Sequence, residues 1–375
     1  MDADRSTATP DASRDRQGRW LALVSGETRG PLASLARSGL AVLAGLYRVG
    51  LAVANLRWRL AGAGWRAPCP VVSVGNLTVG GTGKTPMVAH LAALAAAAGA
   101  RPLIVSRGYG AAAGAPNEEA RELAHLCPGV PHVQDPDRLR AIEDGTAAHP
   151  CDVAILDDGF QHRRCARDLD MVLIDALRPF GYGHLLPRGL LREPPSALRR
   201  ADIVVITRAE QVPAERLANL KAAVRGLVRG DTLVCVAEHR PTGVLLADGS
   251  RREVGWLRGR EVAAACGIGN PEAFRRTLEA LGARVVRFDA FRDHYAYTRA
   301  DLERLAQAAL AAGAKTLVTT GKDDVKWRPL LEGGPGALAV DVAAVEVAMR
   351  ITEGDDALGR AMAAVWSRSD GQGGR

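Results

Sequence analysis

PVVSVGNLTVGGTGKTPMVAHLAALAAAA, the stretch from Pro70 to Ala98, decides the fold. Pro70 to Val74 is a short apolar, β-branched run and Gly75 to Gly83 a glycine-rich turn; from Pro86 an Ala/Leu-rich helical pattern follows. The turn closes on Gly83-Lys84-Thr85. Gly80, Gly81 and Gly83, with Thr82 among them, let backbone N–H groups point inward at an anion, which the first helical turn also attracts. This predicts a triphosphate cradle in which Lys84 reaches the β- and γ-phosphates and Thr85 offers its hydroxyl to Mg²⁺. The strict G-x-x-x-x-G-K-[ST] spacing asks for glycine at 78, where this chain has Thr78. A flexible connector is the plain alternative, and the flanking strand and helix argue against it.

With 375 residues the chain has room for two domains. Its 47% hydrophobic and 24% charged residues are ordinary for a soluble globular protein. The formal charge of +7 rests on arginine, because only five of the 49 basic residues are lysines. An Ala- and Arg-rich composition accounts for much of this, so the charge does not single out nucleic acid; an anionic membrane surface or a phosphorylated substrate fits equally. The six cysteines form no C-x-x-C pair, which speaks against a zinc site or disulfide framework and suits a reducing compartment.

Residues 1–30 are polar and aperiodic and are expected to be a disordered leader, with no secretory signal. From Pro31 to Leu60 the chain turns apolar, but Arg37, Arg48 and Arg57 interrupt every run. Arg37, Arg48 and Arg59 recur every eleven residues, so they share a helical stripe roughly 40° wide, which Asn55 joins. The expectation is an amphipathic helix in a membrane interface with its arginines toward headgroups. Packing on the protein's own core is the alternative, and a true span would bury Arg48 at mid-bilayer.

Past the first helix, apolar runs at Leu103–Ser106, Val153–Leu156, Met171–Ile174 and Ile203–Ile206 alternate with helical patterns. A second series follows at Val262–Cys266, Val285–Phe288, Leu317–Thr320 and Leu338–Val342. Such alternation predicts an α/β chain: a P-loop NTPase-like, doubly wound, mostly parallel sheet with a second, smaller α/β domain. The expected divisions are the leader, an N-terminal amphipathic helix (31–66), a kinase core (67–242), a linker (243–258) with a hairpin signal at Ala247-Asp248-Gly249, the smaller domain (259–366) and a tail (367–375). Asn270-Pro271 and Thr298 with Asp301 mark two helix starts.

Four segments carry candidate chemistry. The strand ending in Asp157-Asp158 is where a P-loop enzyme puts a metal-holding carboxylate, and two adjacent acids are tolerable beside a divalent cation. SRGYG, from Ser106 to Gly110, ends another strand on the same edge and offers Arg107, or is a plain turn. HLLPRGLLREPP sets Arg192 and Glu193 among prolines, as a substrate contact or a loop salt bridge. FRDHYAY holds His294 in a loop as a candidate general base.

GNLTVGGTGKTP, SRGYG, ILDDGFQH, LLPRGLLREP, GIGNP, FRDHYAY and TTGKDD, in that order, resemble the tetraacyldisaccharide 4'-kinase family of lipid A biosynthesis over about residues 31 to 345. Thr78 matches that family's own form of the loop. The resemblance implies ATP- and Mg²⁺-dependent phosphorylation of the 4'-hydroxyl of a tetraacyldisaccharide 1-phosphate by a peripheral enzyme at the cytoplasmic face of the inner membrane. It implies no nucleic-acid partner and no obligate protein partner. By the same resemblance Gly80, Gly81, Thr82, Gly83, Lys84 and Thr85 bind the triphosphate; Thr85 and Asp157 hold the metal, with Asp158 completing the acidic pair. Arg192 and Glu193 match the family's Arg-Glu-Pro and, with Arg107 at its strand end, are expected to contact substrate, and His294 matches the family's catalytic histidine. The family's partner aspartate falls in APNEEARELA (115–124), on Glu118 or, one register away, on Asn117. The alternatives are a nucleotide-switched, membrane-associated P-loop ATPase without a lipid acceptor, which leaves His294 and Arg-Glu-Pro unexplained, and a GTPase, which lacks its guanine motif.

Overall fold

The computed structural model of the chain describes residues 12–60, 64–108, 117–293, 295–332 and 338–367. One sheet runs through the molecule. Its first series is β1 (Val71–Asn76), β2 (Pro102–Ser106), β3 (His132–Gln134), β4 (Val153–Asp157), β5 (Leu169–Asp175), β6 (Ile203–Thr207) and β7 (Leu233–Leu246). After the short β8 (Arg251–Arg252) come β9 (Glu261–Cys266), β10 (Arg284–Ala290), β11 (Thr316–Thr320) and β12 (Asp341–Glu353). Helices α1 (Ala12–Ser25) and α2 (Pro31–Leu60) precede the sheet. The crossovers carry α3 (Lys84–Ala97), α4 (Glu118–Leu126), α5 (Arg138–Ala148), α6 (Ala214–Arg225), α7 (Pro271–Ala280), α8 (Arg299–Ala311) and α9 (Gly321–Glu332), and α10 (Asp355–Trp366) closes the chain.

The strand order is β10-β9-β11-β12-β7-β6-β5-β1-β4-β2-β3, with β8 pairing β7. All described pairings are parallel except β12 with β7 and β7 with β8. Strands buried on both faces must be apolar throughout, and β1, β2, β4, β5 and β6 are buried at every position. β1 lies between β4 and β5, so the chain reverses direction across the sheet there, and a crevice opens beyond the strand carboxyl ends.

The two α/β units share this sheet. β6 pairs with β7 only over Leu233–Val236, and β11 with β12 only over Asp341–Val345. Between them, β7 and β12 pair with each other alone, with a bulge where Val347 stands opposite Pro241. The expected linker 243–258 instead begins as the last turns of β7 and continues through the β7–β8 hairpin and a short helical turn. Asn270 caps α7, and Thr298 with Asp301 forms a full capping box on α8, both as the sequence predicts.

Two expectations for the amino-terminal region change. The leader is not structureless throughout, because α1 forms: Val24 is buried, and Trp20 Nε1 donates to Pro187 O at 2.9 Å. The stripe expected to point at headgroups also contacts the protein, although Arg48 itself is exposed. Arg37 Nη1 donates to Thr28 O (2.8 Å), Asn55 Oδ1 accepts from Arg163 (2.6 Å), and Arg48 lines a cavity against the 183–195 loop. The opposite face carries Leu32, Leu35, Val42, Leu46, Val49, Val53, Leu56 and Leu60, all exposed. By length and composition Pro31–Trp58 is apolar enough to cross a membrane, and 6% of that window is buried.

Candidate active site

The turn after β1 is held from two sides. Val79 N donates to Leu190 O (2.8 Å), Arg192 N donates to Leu77 O (2.7 Å), and Thr78 bridges to Leu191. This pairing is extended backbone, which explains why threonine serves at 78. Left-handed φ angles occur at Gly80 (111°) and at Gly83 (89°), the residue before α3, whose first N–H groups lack a side-chain cap. Thr207 Oγ1 donates to Thr82 O at 2.9 Å and pins the crest of the turn to β6.

Beside the cradle, β4 delivers the acidic pair. Asp157 is 3% exposed, and its Oδ1 has no hydrogen-bond partner among the described residues. Burial pushes its pKa up to about 7, Lys84 acts against this, and Glu119 and Asp158 add to it. Asp158 adopts a left-handed φ of 56°, which aspartate tolerates. Its carboxylate lies 3.6 Å from Lys84 Nζ and accepts 3.0 and 2.8 Å bonds from Arg192 Nη1. Burial raises the Asp158 pKa, but Lys84 and Arg192 more than offset it, so it stays below the usual carboxylate range. A buried carboxylate with an oxygen idle among the described residues, next to a second acid, suits a divalent cation. Thr85, in the first turn of α3, is half-buried on the same cradle.

The remaining predicted residues divide. Arg192 belongs to the site through Asp158, and its carbonyl accepts from Tyr47 of α2 at 3.0 Å. Glu193 is turned inward. It is 4% exposed and held by Arg200 (2.9 Å), with Gln161 at 3.3 Å. Arg200 itself lies over the Phe160 ring, 4.3 Å from its centroid. Of the two roles the sequence leaves open for Glu193, the observed contact is the loop salt bridge. Arg107 is exposed just beyond β2.

Asn117 caps α4, its Oδ1 accepting from Ala120 N (2.8 Å) and Gln134 Nε2 (3.0 Å). Glu118 Oε1 is 2.9 Å from Lys326 Nζ of α9. His294 lies outside the described residues, as does Tyr109-Gly110 of the SRGYG turn. Its neighbour Asp293 pairs with Lys322 of α9 at 3.1 Å, one helical turn before Lys326.

Three groups escaped the sequence reading. Glu119 and Glu122 follow Glu118 on α4, and burial pushes Glu122 up to about 7, with Lys322 opposing and Glu118, Glu119 and Asp157 reinforcing. Arg138 opens α5 with 6% exposure and an Nε that has no partner among the described residues. Burial lowers its pKa, while Asp158 and Asp157 counteract this and Arg107 adds to it. Its one sequence signal is its place directly after the Asp137 cap.

What these strands converge on is the triphosphate seat of a P-loop phosphotransferase, with a lysine, an acidic pair and an arginine-bearing loop around it. The comparisons narrow this class. The family model for tetraacyldisaccharide-1-P 4'-kinase matches residues 36–366. A tetraacyldisaccharide 4'-kinase of Anaeromyxobacter dehalogenans is 43% identical over 360 residues, covering 90% of this chain and 93% of the relative. One from Syntrophus aciditrophicus is 39% identical, covering 86% and 90%. A crystal structure of LpxK from Aquifex aeolicus in complex with ATP has a TM-score of 0.69 at 28% identity, covering 88% of this chain and 99% of that one. The chain belongs to the tetraacyldisaccharide-1-P 4'-kinase family, and it is a kinase of lipid A biosynthesis.

Proposed function

We propose that this kinase transfers the γ-phosphoryl group of ATP to the 4'-hydroxyl of a tetraacyldisaccharide 1-phosphate, giving the 1,4'-bisphosphate, at the cytoplasmic face of the inner membrane. The observation that carries this reading is a cavity of about 370 Å³ between Ala41, Ala44, Gly45 and Arg48 of α2 and the loop from Gly183 to Pro195. It adjoins Arg192, whose guanidinium grips Asp158 beside Lys84. An acylated sugar seated there has its lipid end toward α2 and its head toward the triphosphate.

In this mechanism the N–H groups from Gly81 to Thr85 and the Lys84 ammonium hold the β- and γ-phosphates. Mg²⁺, which Asp157 and Thr85 would hold with Asp158 alongside, supplies neutralising charge to the phosphate oxygens when bound. Glu118, steadied by Lys326, orients His294. His294 takes the hydroxyl proton as the sugar oxygen–phosphorus bond forms; the bond between the γ-phosphorus and its bridging oxygen breaks, and ADP leaves. Each acyl CH₂ kept in the bilayer is worth about 0.8 kcal/mol, so the enzyme goes to its substrate. The outward Leu/Val face of α2 is the surface for that contact, with its arginine side engaged by the protein.

Incubation of the purified protein with [γ-³²P]ATP and a detergent extract of lipid A precursors tests the proposal. A labelled, chloroform-soluble product that disappears in His294→Ala is expected. Label released only as inorganic phosphate, with or without lipid, would instead make the chain a nucleotide-switched ATPase.

A further inference from the structure

At the end of the sheet opposite the nucleotide, two cysteines meet. Cys69 lies just before β1 and Cys151 just before β4, strands that are parallel neighbours with Val71 opposite Ala154. This register leaves the two Sγ atoms 3.5 Å apart, although the residues are 82 positions apart in sequence. Cys69 is 9% exposed and Cys151 half-buried, so the pair is reachable from one side. Next to Cys151, Asp152 anchors Arg101 through a two-point ion pair (2.8 and 2.7 Å) and accepts the Arg101 N–H at 2.8 Å. This fixes an ion pair beside the sulfur.

The sulfurs differ in character. Cys151 is the more exposed of the two; either sulfur can donate the hydrogen bond between them, and each also accepts a backbone N–H, Cys69 from Ala154 and Cys151 from Val153. Burial pushes the other four thiols up, Cys127 and Cys165 to about 11 and Cys235 and Cys266 to about 12. Cys151 is the thiol of the pair that solvent reaches more readily, and a resolving thiol touches it.

We propose that Cys69 and Cys151 are an oxidisable dithiol that forms a reversible disulfide with a peroxide as oxidant. The Cys151 thiolate attacks one peroxide oxygen, the O–O bond breaks, and the departing hydroxide takes up a proton as water, leaving a sulfenic acid. The Cys69 sulfur then attacks the Cys151 sulfur, the S–O bond breaks, and the second water leaves with the Cys69 proton. Two thiols and one peroxide become one disulfide and two waters. The bond ties together the lower ends of β1 and β4, the strands that end in the cradle and the acidic pair.

The test treats the full chain with hydrogen peroxide, then denatures it, alkylates it and digests it without reduction. One cross-linked peptide pair holding Cys69 and Cys151, two hydrogens lighter than the separate thiol peptides, is expected. It should be lost on adding dithiothreitol and absent from Cys69→Ser and Cys151→Ser. Cys69→Ser, which touches no part of the kinase site, should keep wild-type turnover and trap Cys151 as a dimedone-reactive sulfenic acid. Full alkylation of both cysteines at peroxide levels that oxidise free cysteine overturns the proposal. So does modification of each without a cross-link.

Discussion

The Lys326 ammonium stands 2.9 Å from Glu118 Oε1 and 3.4 Å from Asp323 Oδ1, joining α9 of the carboxyl-terminal unit to the first turn of α4. Asp323 is fully buried, accepting from Gly267 N (2.8 Å) and Thr320 Oγ1 (2.9 Å), so Lys326 is held on a fixed base. Glu118 therefore meets the crevice in a set orientation. For Glu118→Gln we expect kcat to fall by about 10²-fold or more, the scale of a lost proton-transfer partner, with ATP affinity unchanged. Unaltered turnover would remove Glu118 from the chemistry.

Asp157 makes the metal-free protein sensitive to pH. Its folded-state pKa of about 7 lies above the ordinary value of 3.8, so the folded chain keeps a proton that the unfolded chain loses. That contribution is present below pH 4 and disappears as pH rises toward 7. Without metal, Asp157→Asn should have a higher Tm than wild type at pH 8, and the difference should shrink at pH 4. The same variant should be inactive as a kinase and gain no Tm from Mg²⁺ with ATP. Parallel Tm-versus-pH curves for the two proteins would contradict the assignment.

Glu193 and Arg200 form an ion pair in which the carboxylate is almost wholly enclosed. Arg200→Met leaves that charge buried with only Gln161 beside it, and a loss of about 3 kcal/mol is expected in urea unfolding. Glu193→Gln should cost less, because the amide still reaches Arg200. Equal unfolding midpoints for Arg200→Met and wild type would place Glu193 in solvent.

The outward face of α2 is separable from the site. Leu46, Val49 and Val53 changed together to glutamine should abolish flotation with phosphatidylglycerol vesicles while ATP binding is kept, since all three are exposed. Tyr47→Phe should do the reverse. It keeps the apolar face but loses the hydroxyl bond to the Arg192 carbonyl, worth about 1 kcal/mol, and should lower kcat/KM for lipid about fivefold. Normal flotation of the glutamine variant would deny the membrane role.

Much of the architecture was legible because buried parallel strands must be continuous apolar runs, and those at Val71, Val153, Met171 and Ile203 were bounded by turn residues. The cradle and acidic pair were legible because their chemistry needs particular residues at strand ends. The facing of α2 was not, since periodicity separates two faces without saying which one packs. Tyr47 and Asn55 decide that through partners at Arg192 and Arg163, more than 100 positions away. α1 was missed because its hold on the protein is Trp20 and Val24 against a loop near residue 187. Glu193 stayed open between a substrate contact and a loop salt bridge because the arginine that pairs with it sits seven residues on and is itself steadied by Phe160.

The stretch where β7 and β12 pair only with each other governs how the two halves can move. A ribbon two strands wide resists stretching along its length but yields to torsion, and register shifts interrupt it opposite Val347 and again past Ile351. The halves therefore behave as plates on a leaf spring, and the gap between α4 and α9 is set by the winding of that spring. One residue inserted into either strand would rotate one plate against the other and draw Lys326 away from Glu118, while the packing inside each plate stayed as it is.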